Sequence, residues 1–192
     1  MNVPEKLKPY SGIFYFVVIL LVSHFFWKFT VLGDEEGDMV RFFGLNISQP
    51  FVFMSHHIAH VCNSILHTLG FDTTLSADNV IRHIGSRNAI QIVWACTGIK
   101  QAYIFFCIIA FYCGSWKQKL WYIPVGLICV YLFNILRITF ITAVVDTHPE
   151  QFNFWHEHVT KYLFYVMIFF LWVIWEEKFC LKKKSSLVQK PE

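Results

Sequence analysis

Charge is what this sequence has least of. Asp, Glu, Lys and Arg make up 15% of its 192 residues, where a soluble domain carries roughly a quarter, and that shortage excludes an ordinary water-surrounded globule. The formal net charge is only +3, with the excess gathered in the stretch 178–190, so no nucleic-acid partner is expected. None of the six cysteines has a C-x-x-C partner, which removes a thioredoxin-like redox motif and the usual zinc pairs; no metal and no cofactor is expected. The first apolar run lacks a small-residue cleavage site and is read as a retained anchor, not a signal peptide. Internal repeats and low-complexity segments are also missing.

What fills the space is apolar. Hydrophobic residues reach 56% and aromatics 19%, with 21 Phe and 7 Trp. A spanning helix needs about 20 mostly apolar residues, and the runs 12–32, 120–145 and 159–176 satisfy this, with 97–115 just long enough. Basic residues cluster at Lys6 and Lys8, at Lys117 and Lys119, and at Lys178, Lys182, Lys183 and Lys184. Placing all three clusters in the cytoplasm gives four spans, with 33–96 and 146–158 outside.

The segment 49–70 is long enough to span but carries His56, His57, His60, Asn63, Ser64 and His67. At 100° per residue His56, His60, Asn63 and His67 share one side, while Met54, Ile58, Val61, Ile65 and Leu69 take the other. The pattern predicts an amphipathic helix lying at the outer surface. Short β-like runs flank Gly85-Ser86 within 80–94 and predict a small hairpin leading into Cys96. The expected architecture is an all-α integral membrane fold with about four spans, an outer amphipathic helix and a small extracytoplasmic hairpin. It comprises one domain, 1–180, followed by a basic, disordered cytoplasmic tail, 181–192.

Chemistry concentrates at three places of similar depth. Cys96 precedes the second span, where a helix N-terminus and Lys100 would favour a thiolate; the competing reading is a small apolar filler residue. Arg137 lies seventeen positions beyond Leu120, about 25 Å up a core roughly 30 Å thick. An arginine there faces protein or water, or snorkels to the interface. His156 and His158 open the last span on the same side. A thiol, a guanidinium and an imidazole at one depth suggest acyl transfer, with roles as nucleophile, oxyanion partner and proton carrier.

The motifs Ala95-Cys96-Thr97-Gly98, Asn134-Ile-Leu-Arg137 and the His156 segment resemble, in order and placement, the exosortase and archaeosortase family of membrane transpeptidase-like proteases. The family pattern is A-C-[ST]-G, then N-x-x-R, then a histidine opening a later helix. The resemblance covers about residues 80–170. It implies a cysteine nucleophile at Cys96, an essential arginine at Arg137 and a histidine acid or base at His156, with His158 as the alternative and Thr97, Lys100 and Asn134 in support. It further implies a bacterial or archaeal cytoplasmic-membrane enzyme whose extracytoplasmic site cleaves C-terminal sorting signals of membrane-anchored proteins. Such a signal comprises a short motif, a span and a basic tail. This chain is shorter than many family members, which have around eight spans, and has Thr160 where the family often has glycine.

Two other readings stand beside this one. Histidines at i and i+4 can share a metal, so the His56, His60, His67 face is a candidate metal or haem site. The chain could instead be a non-catalytic membrane subunit whose polar residues only join helices. Lys28 and Lys161 read as snorkelling residues, and Asp146 and His148 as loop chemistry, with His148 a distant alternative to His156; Glu157 either orients a histidine or is simply a carboxylate favoured by a helix start.

Overall fold

The computed structural model describes residues 11–34 and 39–181. The basic positions Lys6, Lys8, Lys182, Lys183 and Lys184, and the expected tail, lie outside the described residues. The protein is mostly helical. Among the described residues, three helical segments are long and apolar enough to cross a membrane: Ser11–Thr30, Trp116–Thr147 and Pro149–Cys180. The first is α1; the second, a 32-residue helix, is labelled α4 below. The third comprises a π-helical turn at Phe154–Val159, the helix α5 at Thr160–Trp175 and the terminal turn Glu176–Leu181.

The fourth expected span, 97–115, is helical only over Ile99–Phe111 (α3), 13 residues or about 20 Å, short of a roughly 30 Å core. Its ends are set by backbone geometry. Gly98 takes φ +77° before it and Gly114 φ +123° after it, conformations that stop a helix and favour glycine. The buried Lys119 then reaches from α4 to donate its ammonium hydrogens to the carbonyls of Ala110 and Tyr112, at 2.8 and 2.6 Å. This satisfies acceptors that a helix C-terminus leaves unpaired. Lys119, counted from sequence as a free topological charge, is therefore a capping residue, whereas Lys117 remains exposed.

Outside the bundle the chain builds a cap. Helix α2, Ser48–Thr68, forms where an amphipathic helix is expected, but its buried stripe is Phe51, Ser55, Ile58, Ala59, Cys62 and Leu66. Leu69 is exposed. The small residues Ser55, Ala59 and Cys62 let α2 pack closely on α4, so the inward face lies about one residue on from the one that hydropathy picks out. The expected hairpin is present as β5 (Val80–His83) and β6 (Ala89–Gln91), and it gains a third antiparallel strand, β4 (Thr73–Ala77). A second small sheet, β1 (Val31–Gly33), β2 (Val40–Phe42) and β3 (Leu45–Asn46), follows α1. Its strands of two or three residues are too short to show any alternation in sequence.

Two cores result. One lies among α1, α3, α4 and α5 and is built from Phe16, Ile104, Phe105, Ile108, Phe164, Ile168 and Trp172 among others. Lipid is as apolar as these side chains, so van der Waals fit holds this core together; Gly126 has room only for hydrogen because a Cβ would collide with Phe105. The other core joins α2, β5 and the outer part of α4 through Ile58, Leu66, Ile81, Ile92 and Ile138. Outside lipid, each such burial contributes about 1.5–3 kcal/mol by removing apolar surface from water. Helix α4, about 48 Å long, belongs to both cores. Arg137 sits where it passes from one to the other.

Candidate active site

Cys96 closes a single 3₁₀ turn, Trp94–Cys96, and its N–H donates to Val93 O at 2.9 Å. Thr97 Oγ1 donates to Trp94 O at 2.7 Å, which is why a hydroxyl is useful after the cysteine. Trp94 ties the turn to the end of β1, its indole N–H donating to Asp34 O at 3.0 Å. Asn134 braces the far side, with Nδ2 donating to Cys96 O at 3.0 Å. Its side chain lies 3.0–3.3 Å from where a Cβ on Gly98 would stand. The A-C-T-G and N-x-x-R motifs thus form one unit: Asn134 holds the loop, and Arg137, one helical turn further along α4, faces the cysteine.

The third component comes from the end of the chain. His156 lies in the π-helical turn Phe154–Val159, whose wider spiral is commonest at functional sites. Its Nε2 stands 3.6 Å from Cys96 Sγ, and its Nδ1 is 3.1 Å from Glu157 Oε1. The ring stacks on Phe152, centroids 5.0 Å apart and 11° from parallel. With Nδ1–H donating to the carboxylate, Nε2 keeps its lone pair toward the sulfur. Glu157 is itself held by Lys161 at 3.2 Å. His158, two residues on, is exposed and is not part of the lining that Cys96, Arg137 and His156 share.

Arg137 points into the protein and does not snorkel. Its Nε donates to Thr160 Oγ1 at 3.0 Å, leaving the terminal nitrogens for the site. Thr160 orients the guanidinium and gives its own proton to His156 O at 3.4 Å. The departure from the family's glycine therefore has a local use.

The electrostatics differ from the expected picture. Helix α3 begins at Ile99, so Cys96 lies before its first turn. Burial pushes the thiol up from its ordinary value, and the Arg137 guanidinium opposes that shift. Arg137, not Lys100, is the cation acting on the sulfur. Lys100 lines the adjoining cavity with Lys28, Lys161 and Gln101.

Two openings meet at Cys96. A cavity of about 290 Å³ is bounded by Trp27, Trp94, Cys96, Arg137, His156 and Tyr165, and a recess of about 20 Å³ reaches Cys96, Arg137 and His156 from the side of Ile92 and Ile138. Residues 39–175, well over half of the chain, match the family model described as Transmembrane exosortase (Exosortase_EpsH). The chain belongs to the transmembrane exosortase family. No curated protein and no solved structure matches it.

Within this exosortase the remaining candidates are dispersed. His56 faces Asp78 at 4.0 Å and His57 bonds Tyr131 at 2.8 Å. Among the described residues, His56, His60 and His67 form no three-ligand group. Asp146 lies 3.3 Å from the buried His83 and accepts from Ser86 at 2.7 Å, fastening the β4–β6 sheet to α4. His148 pairs only with Glu150. Phe152 was not singled out from sequence, because it acts through a ring stack on His156; Thr160 acts through Arg137, 23 positions away, and Glu157 takes the histidine-orienting role that sequence weighed against a plain helix-start carboxylate.

Proposed function

We propose that this exosortase is a cysteine peptidase or transpeptidase that cleaves a membrane-tethered polypeptide by acyl transfer through Cys96. The approach of Cys96 Sγ to His156 Nε2, 3.6 Å between residues sixty positions apart, carries the reading. Because burial disfavours a free thiolate, proton removal belongs with the attack. The Cys96 proton passes to His156 Nε2 as sulfur adds to the scissile carbonyl. The Nη groups of Arg137 meet the developing oxyanion. Collapse breaks the C–N bond, His156 returns its proton to the leaving amine, and a thioester remains on Cys96. Water or another nucleophile, deprotonated by His156, then releases the acyl group.

The substrate class follows from position. A polypeptide anchored by its own span is confined beside α1 and α5, so tethering replaces part of the binding energy. The matching signal is a short motif, a span and a basic tail, cut on the extracytoplasmic side of a bacterial or archaeal cytoplasmic membrane. The test is intact mass spectrometry of enzyme quenched in acid during turnover of a co-expressed tagged protein with such a tail. The expected species is an adduct on Cys96, equal in mass to the upstream fragment and released by hydroxylamine. Cleavage without any such adduct would exclude the covalent route.

The two histidines point about half a turn apart, and only His156 reaches the sulfur. His156→Ala is expected to lower cleavage about 10²–10⁴-fold, the usual share of general acid–base catalysis. His158→Ala is expected to stay within about two-fold, as exposed substitutions usually do. Comparing processed and unprocessed substrate at equal expression reads this directly; the reverse ranking would transfer the role to His158.

A further inference from the structure

At the other end of α3 from Cys96, three ligand-bearing side chains converge. Cys113 and Cys180, 67 positions apart with Cα atoms 6.1 Å from one another, are joined as a disulfide, and Glu176 Oε2 lies 3.7 Å from Cys113 Sγ. The three ligand atoms all lie within 4.8 Å of one another. The place is built, not incidental. Trp175 Nε1 donates to Cys113 O at 2.8 Å, and Lys119 fixes Tyr112 O at 2.6 Å. Gly114 accepts its positive φ with no room for a Cβ against Trp175. The buried Tyr112 hydroxyl hydrogen-bonds Glu176, which orients a carboxylate as outer contacts of metal ligands do.

This end of the bundle carries the exposed Lys117 and Lys178, which the positive-inside rule assigns to the cytoplasm, where thiol reductants keep cysteine pairs open. We propose that in the reduced chain Cys113, Cys180 and Glu176 bind one divalent thiophilic cation of the zinc type. A cytosolic thiol reductant converts the disulfide to two thiols and is itself oxidised to a disulfide. Metal binding then releases both thiol protons. In a tetrahedral site with Zn–S near 2.3 Å and Zn–O near 2.0–2.2 Å, neighbouring ligand atoms stand about 3.5 Å apart, close to the observed sulfur–oxygen separation. Among the described residues the group has three members, so solvent completes the tetrahedron. The ion clamps the end of α5 to the turn between α3 and α4.

The test uses the full chain, purified in detergent under a phosphine reductant and dialysed against zinc. About one zinc per chain is expected by elemental analysis, as for a single tetrahedral site. Cys113→Ser and Cys180→Ser should abolish it, Glu176→Gln should weaken it at least about ten-fold, and Cys62→Ser should leave it unchanged. Cobalt loading of the unsubstituted chain should give a thiolate-to-cobalt charge-transfer band, a readout independent of whether the variants fold. Zinc no higher than in Cys113→Ser, or cobalt without that band, would overturn the proposal. So would a disulfide-linked 113–180 peptide recovered after thiol blocking in intact cells. Substrate cleavage measured in parallel depends on Cys96, so the two readings fail separately.

Discussion

Cys96→Ala and Cys96→Ser are each expected to abolish cleavage of a tagged sorting-signal substrate, a loss of at least about a thousand-fold, with the chain accumulating normally. The side chain is small and half-buried at the edge of the outer core, so truncation to Ala leaves the helices and both cores in place. Serine is nearly isosteric and keeps a proton facing His156. Its hydroxyl, however, is a far weaker acid than the thiol and a poorer nucleophile in a site already desolvated by burial. The measurement is the ratio of processed to unprocessed substrate on an immunoblot, with enzyme quantified alongside. Processing that survives Cys96→Ala would return the residue to filler and the chain to a non-catalytic subunit.

Arg137→Lys is expected to lower cleavage about 10²–10³-fold, the range found when one oxyanion partner is removed. Lysine keeps the charge, so an arginine serving only as an electrostatic anchor would tolerate it. The geometry asks for more: Nε is committed to Thr160 Oγ1 at 3.0 Å, and the guanidinium plane carries further donors in fixed directions toward Cys96. An ammonium on a flexible stem can satisfy Thr160 or the oxyanion, not both. The sulfur also loses the cation that offsets its desolvation. Single-turnover rates at saturating substrate separate this loss from weaker binding. A lysine enzyme with an unchanged rate would remove the oxyanion role.

Different parts of the molecule were legible in the sequence to different degrees. The long spans were readable because hydropathy is summed locally over about twenty residues, and no partner is needed to recognise lipid-facing Phe25, Phe29 or Phe170. Helix α2 was readable as a helix, but its inward face was not: hydropathy ranks Leu69 above Ala59, whereas close packing on α4 selects the smaller residue. The strands β1, β2 and β3 have almost no sequence signal because their pairing, not their composition, makes them strands. The same holds for Cys113 and Cys180, which spacing rules for neighbouring cysteines pass over.

Sequence alone determined that this chain belongs in a membrane, where its long helices run, and which motifs hold Cys96, Arg137 and His156, because composition, periodicity and motif spacing are properties of contiguous residues. Tertiary structure placed His156 and not His158 beside Cys96, paired Thr160 with Arg137, ended α3 short of a full span and moved the positive charge acting on Cys96 from Lys100 to Arg137. Each of these depends on the direction in which a side chain leaves its backbone and on what another helix places within about 4 Å, the range of direct contact. Such directions are fixed only when α3, α4 and the turn before α5 pack together.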